Sequence, residues 1–431
     1  MSVLFAFGVL SIALHRTKFL QPFVLSGFVL AFVLSYMGYG VELVGFMQDT
    51  RSRFFELILF IVLFAFALHE KEETNLTQML FVGAASTLVL ESRTLLSFIL
   101  SFEALSLLSV VYVSFIHTKE DASGAVKLFM AGAISSAILF LGVVFYVMGG
   151  GELMQSLSQT PSEFMVVGIL VMLMALFYKL TIVPFHGWAV DTYALVKPSS
   201  AGVLSGVIKS VVVLGVFTLF TPVLQTLSGV NEMVLIFLAI VTMTLGNFLA
   251  LFRKNLSQIL AYSSIAQAGY MLLAFVALQS SYAQDGILYI AVAYIFMQSA
   301  AFLVLDSLKV KFNITTLEEL QGFYTKSKLL SFFFTLQLFS LAGIPLLAGF
   351  LAKAVVFYSV VDAGLWWLAL IALLNSALSV GYYAWIVKTL YFDTRSEQLE
   401  QKLELKVVVS QAILALGTLY FGVFAFSIFG V

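Results

Sequence analysis

The sequence predicts an all-α polytopic membrane protein, a single integral membrane domain over residues 1–431 with about fourteen transmembrane helices. Three observations predict it. Hydrophobic residues make up 61% of the chain and charged residues 10%, where a soluble chain carries about 25% charged residues; mean hydropathy is +1.05. The apolar residues fall into successive runs, most near the roughly 20 residues a helix needs to cross the hydrocarbon. No polar linker is long enough to separate domains, the longest being 309–328 and 393–406.

The runs follow in order. The first, 2–14, is short and is followed by His15, Arg16 and Lys18. It resembles a signal peptide in length but lacks a charged start and a small-residue cleavage site, so it reads as a short first span. Runs 19–38, 54–69 and 76–91 come next; 94–116 carries Glu103, 124–149 carries Lys127 and 163–183 carries Lys179 before Pro184 interrupts it. Run 199–221 carries Lys209, and 231–252, 256–278 and 285–308 follow. Run 328–358 contains Gly343, Pro345 and Gly349 with Lys353 after them; 363–391 carries Lys388, and 403–430 is last.

Spans seven and twelve are both interrupted by proline, both carry a lysine, and lie five helices apart. Taking helices 4–8 (about 76–221) and 9–13 (about 231–391) as two repeats makes these helices equivalent, with 1–69 and 403–430 as flanking helices. Five helices is an odd number, so the second copy is expected inverted. Paired broken helices in inverted repeats point to an ion site at mid-membrane. This expectation rests on hydropathy and break position; no residue-level repeat supports it.

Orientation follows from the Lys and Arg of the loops. The odd-numbered loops hold Arg16, Lys18, Lys71, Lys119, Lys197, Arg253, Lys254, Lys309, Lys311, Lys326, Lys328, Arg395, Lys402 and Lys406, against Arg51, Arg53 and Arg93 in the even ones. The odd loops are expected in the cytoplasm and both termini outside, in a bacterial-type inner (cytoplasmic) membrane.

The remaining lysines lie inside apolar runs, where a charge costs about 2.5–3.5 kcal/mol on insertion scales. Lys127 and Lys388 lie near cytoplasmic ends, where a long side chain can snorkel to the interface; for Lys127 a relay role stays open beside that reading. Lys179, Lys209, Lys353 and the carboxylate Glu103 do not easily reach an interface. Broken helices free backbone carbonyls, which must face protein or a water-filled cavity. His186, at the first break, reads as packing rather than proton transfer. Low dielectric favours a neutral amine and a nearby carboxylate favours the ammonium, so moving Glu103 relative to Lys179 would load or release a proton. Sodium would want a cluster of oxygen ligands, and Glu103 is the only carboxylate well inside a span, with Glu91 and Asp306 at ends.

Other chemistry is narrowed by what the chain lacks. It has no cysteine, which rules out cysteine-ligated iron–sulfur clusters and thiol catalysis here. Four scattered histidines give no metal-ligand spacing, a net charge of −1 suggests no nucleic acid, and neither a Walker nor a Rossmann motif is present. No cofactor or metal is expected in this chain. Each proton moved against 100 mV costs about 2.3 kcal/mol, so the driving energy is expected from partners or another ion gradient.

Six stretches carry a family resemblance: 102–106 (FEALS), 177–193 (FYKLTIVPFHGWAVDTY), 206–210 (GVIKS), 246–251 (GNFLAL), 262–270 (YSSIAQAGY) and 343–353 (GIPLLAGFLAK). With them the chain resembles the proton-translocating, antiporter-like membrane subunits of NADH:quinone oxidoreductase (respiratory complex I), relatives of Mrp-type sodium/proton antiporter subunits. Stretches 288–302 and 375–392, and Lys353 where a related branch has glutamate, make it most similar to the subunit N branch. The resemblance implies fourteen core helices, inverted repeats and broken helices 7 and 12. It also implies a proton relay of Glu103, Lys179, Lys209 and Lys353, with Lys127 matching a further helix-6 lysine. NADH, FMN, iron–sulfur clusters and quinone are implied in partner subunits, with a neighbouring antiporter-like subunit and small membrane subunits alongside. An Mrp-type antiporter subunit, or one of a membrane-bound hydrogenase, is the alternative. The chain departs from the family pattern at Val190 (proline), Gly124 (an acid) and Gln267 (histidine).

Overall fold

The structure is a computed structural model that describes residues 2–38, 44–114, 119–157, 161–225, 230–392 and 401–424. Among them no strand forms; two isolated bridges, Phe46 with Ser92 and Asn255 with Thr316, are the extended pairings. The helices are α1 (Ser2–Ala13), α2 (Leu20–Tyr36), α3 (Thr50–His69), α4 (Glu73–Glu91), α5 (Leu95–Ser114), α6 (Lys119–Met148), α7 (Glu163–Leu180), α8 (Gly187–Leu195) and α9 (Pro198–Gly202). They continue as α10 (Lys209–Leu224), α11 (Val230–Ala250), α12 (Leu256–Val276), α13 (Ala283–Phe312), α14 (Lys328–Ala342), α15 (Ala348–Asp362), α16 (Trp366–Tyr391) and α17 (Leu405–Val423). A π-helical turn, Val203–Ile208, lies between α9 and α10.

Ten helical stretches among the described residues are long and apolar enough to cross a membrane. The sequence expectation was about fourteen. α1, α2 and α14 are apolar but shorter, and the long run 328–358 is divided into α14 and α15 by its break. The last expected span is helical over Leu405–Val423, and residues 425–430 of it lie outside the described residues.

Local chemistry sets several boundaries that hydropathy misplaces. α3 starts at Thr50 because Asp49 accepts the Ser52 N–H at 2.7 Å while the Ser52 hydroxyl takes the Asp49 N–H at 2.9 Å. That reciprocal capping box satisfies two groups a helix start otherwise leaves open. The Ser162 hydroxyl and the Asn255 amide oxygen cap α7 and α12. Asn313 takes a left-handed conformation to end α13 (φ 55°).

The chain forms two compact units. The first comprises residues 1–188 and 208–233. In it α1 packs on α2 and α4, α2 on α3, and α4 on α5, while α6 lies along α7 and α10 packs against α4, α5 and α7. The second comprises residues 189–207 and 234–431. It is organised around α13, which packs against α9, α12, α14, α15 and α17. The apolar window of α12 is wholly buried.

Candidate functional site

In the first unit the break comes before the proline that marks it in the sequence. α7 ends at Leu180, and Thr181 takes a left-handed conformation (φ 62°, ψ 33°). For a β-branched residue that backbone is strained. The N–H groups of Thr181 and Ile182 close on the carbonyls of Tyr178 and Phe177, and the Trp188 indole donates to the Tyr178 carbonyl at 3.0 Å. The helix is therefore already terminated when the chain reaches Pro184, and His186 lies half-buried beyond it.

Lys179, in the last turn of α7, is buried and donates to the hydroxyls of Ser106 (3.3 Å) and Ser109 (3.1 Å) on α5. Glu103 lies three and six residues before these serines, on the same face of α5. Its Oε2 accepts from Ser136 of α6 at 2.7 Å, and its Oε1 has no hydrogen-bond donor. Glu103 acts on Lys179 by charge, with the serines taking the ammonium's hydrogen bonds in place of a direct ion pair. Lys209, the first residue of α10, is buried and donates to the Thr181 hydroxyl at 2.8 Å. The strained residue at the break is thus the partner of the second lysine. Glu103, Lys179 and Lys209 are gathered around the end of α7. Lys127 is half-buried on α6, deeper in its helix than the run 124–149 suggested, because α6 begins at Lys119.

The second unit holds Lys353. α14 ends at Ala342, with Gly343 left-handed (φ 89°). The N–H groups of Gly343 and Ile344 return to Phe339 and Ser340, leaving the last carbonyls to side chains. Lys353 takes them, donating to Leu341 O at 2.8 Å and Ala342 O at 3.2 Å, and to Ser376 Oγ at 3.1 Å. An ammonium at a helix C-terminus complements the dipole there. Its fourth neighbour is the face of the Tyr270 ring, 5.0 Å from the centroid. Gln267 donates to Leu341 O at 3.2 Å. Gly349 lies inside α15 and is no part of the break; it lets α15 approach Ser340, whose carbonyl oxygen would be 1.9 Å from an added Cβ. Pro345 is exposed in the turn between the two helices.

The residues missed at the sequence level are the neutral partners. Ser106, Ser109, Ser136, Thr181 and Ser376 receive the lysines or serve the carboxylate. In the second unit Tyr270 accepts from Asn247 (3.0 Å), which accepts from Tyr382 (3.1 Å). Ser205, Ser264, Tyr294 and Gln298 form another buried hydroxyl–amide cluster. One signal was available: Ser106 and Ser109 repeat at helical spacing from Glu103, and Ser263, Gln267 and Tyr270 share a face of α12. Among the described residues no three His, Cys, Asp or Glu side chains gather as a metal site.

Residues 92–379 match the family described as NADH:quinone oxidoreductase/Mrp antiporter, transmembrane. The chain belongs to this family. The matched segment contains Glu103, Lys179, Lys209, Lys353 and both breaks. Among individual proteins, the chain is 32% identical over 392 residues to F(420)H(2) dehydrogenase subunit N of Methanosarcina mazei, covering 84% of this chain and 78% of that one. It is 30% identical over 403 residues to NADH-quinone oxidoreductase subunit N of Coxiella burnetii, covering 88% and 83%. A chain of respiratory complex I from Thermus thermophilus shares the fold, with TM-score 0.82 and 24% identity over 98% of this chain and 97% of that one. As a family member it is a multi-pass membrane protein.

Proposed function

We propose that the chain is the proton-translocating, subunit N-type membrane component of a respiratory NADH:quinone oxidoreductase. Electron transfer and quinone reduction elsewhere in the complex would drive it, with no redox centre in this chain. The observation that carries this reading is the placement of Glu103, Lys179 and Lys209 at the α7 break, each joined to hydroxyls that can pass a proton. Altering the Glu103–Lys179 interaction changes which form of the amine is favoured. A proton taken up at Lys179 would pass to Lys209 and, by way of the second unit, to Lys353 as terminal station. Lys353 sits on two helix-end carbonyls, which hold its ammonium until release. Lys127 would join the relay from α6, and His186 would serve the packing of the break.

The architecture is read as fourteen core helices with inverted repeats of helices 4–8 and 9–13, α7 and α14–α15 supplying the broken pair. The expected partners are a neighbouring antiporter-like subunit and small membrane subunits, in a bacterial-type inner membrane with both termini outside. NADH, FMN, iron–sulfur clusters and quinone belong to partner subunits. The relatives' names carry different electron donors, so the donor follows from the partner dehydrogenase, not from this chain.

The test uses membrane vesicles containing the complex with Glu103→Ala or Lys179→Ala. Proton translocation per quinone reduced should fall at least about tenfold, the equivalent of about 1.4 kcal/mol on the transfer barrier, while assembly is retained. Full coupled pumping in both variants overturns the relay. The second reading, an Mrp-type sodium/proton antiporter or hydrogenase subunit, draws on the family match itself. It expects sodium-dependent proton exchange without quinone reductase activity in the same fraction.

A further inference from the structure

One buried carboxylate takes no part in the relay. Glu56 on α3 is 2% exposed. Its Oε2 accepts from the Ser35 hydroxyl of α2 at 3.1 Å and from the Gln48 amide at 2.6 Å. Its Oε1 has no hydrogen-bond donor. A second carboxyl, that of Glu91, the part-buried last residue of α4, interacts with this one by charge.

The surrounding chain holds this geometry in place. The Met47 N–H bonds the Glu91 carbonyl at 2.8 Å, the Arg93 N–H bonds the Gly45 carbonyl at 2.8 Å, and Phe46 pairs with Ser92. These contacts fasten the segment before α3 to the end of α4 and set Gln48 over Glu56. Arg93 is engaged by Asp49 at 2.9 Å and by the Leu90 and Ser92 carbonyls. Arg93 acts on Glu91 by charge. Arg53 lies one turn before Glu56 on α3, and α2 contributes Ser35 and no charge to this carboxyl. Among the described residues neither carboxyl has a salt-bridge partner.

Two carboxylates interacting in a low-dielectric site cannot both ionise without strong repulsion. A proton on one of them turns the repulsion into a hydrogen bond and supplies the donor that Glu56 Oε1 lacks. Two carboxyls and an amide are too few oxygen ligands to favour a metal ion. We propose that Glu56 and Glu91 hold one proton between them, forming a proton-binding site in the α2–α4 bundle separate from the lysine relay. This inference does not depend on the proposed function.

Infrared difference spectroscopy of the assembled complex in vesicles tests it. The wild type should show a protonated-carboxyl C=O band that shifts in D2O. Glu56→Gln should remove that band. Glu91→Gln should remove the same band, because the new amide donates to Glu56 and lets it ionise. The double variant should remove no more than either single one. Gln48→Ala should shift the band without abolishing it. If Glu56→Gln fails to assemble, Glu91→Gln against wild type carries the test. A band that persists unshifted in Glu91→Gln, or a wild type from which neither variant removes a band, overturns the shared proton.

Discussion

At the scale of single residues, the buried lysines are held by oxygens that carry no charge. Lys179 rests on Ser106 and Ser109, Lys209 on Thr181, and Lys353 on Leu341 O, Ala342 O and Ser376. A neutral acceptor lets the amine lose its proton without leaving a buried carboxylate unpaired, which would cost several kcal/mol. Hydrogen bonds from charged groups are worth about 1.5–3 kcal/mol each. The double variant Ser106→Ala/Ser109→Ala should therefore reduce coupled proton translocation about tenfold or more, measured in vesicles, with the complex still assembled. Unchanged pumping would show that these hydroxyls do not serve Lys179. Lys353→Met should leave two helix-end carbonyls without their donor and lower both pumping and the thermal stability of the assembled complex, whereas Lys353→Arg should recover more stability than pumping.

At the scale of helices, glycine decides where backbones touch. An added Cβ at Gly349 would lie 1.9 Å from Ser340 O, and one at Gly168 would lie 2.5 Å from Tyr146 N and 2.6 Å from Gly142 O. Backbone cannot yield as a side-chain end can. Gly349→Ala and Gly168→Ala should each destabilise the chain by about 3 kcal/mol or more, read as loss of assembled complex from membranes. Normal accumulation of Gly349→Ala would mean that α14 and α15 are less closely held. The connection from α13 to α14 depends on carboxylates instead. Glu319 accepts from the N–H groups of Thr315 (2.7 Å) and Thr316 (3.0 Å), and these bonds hold its carboxyl below its ordinary value of 4.5. Glu318, hydrogen-bonded to Lys254 at 2.6 Å, is held below that value too. Groups depressed in the folded state contribute stability above the ordinary value and lose it as pH falls through their folded values. Exchange of the Thr315 and Thr316 amides, corrected for intrinsic rate, should accelerate as pH falls below 4.5 and through the folded value of Glu319; constant protection would show that the loop does not rely on Glu319.

At the scale of the whole molecule, the proposed relay draws its driving energy from partners or from another ion gradient, since each proton moved against 100 mV costs about 2.3 kcal/mol. A tagged chain extracted in mild detergent should migrate with a large assembly that reduces quinone. Migration with small membrane partners alone, with sodium-for-proton exchange in the same vesicles, would favour the antiporter reading.

Composition and periodicity were enough to establish an all-helical membrane protein, because a chain in hydrocarbon must satisfy its backbone internally and advertises this in long apolar runs. They also exposed Glu103, Lys179, Lys209 and Lys353, since a charge in such a run stands out against its neighbours. Tertiary structure decided the rest. Pro184 signalled a break that Thr181 had already made, and the capping box at Asp49 moved the start of α3. Neutral serines, threonine and backbone carbonyls are ordinary residues in sequence, and only folding brings them against a lysine. Glu56 and Glu91 lie 35 positions apart in the chain. They become a pair only because the segment before α3 is fastened to the end of α4, and hydrogen bonds of that range have no local signature.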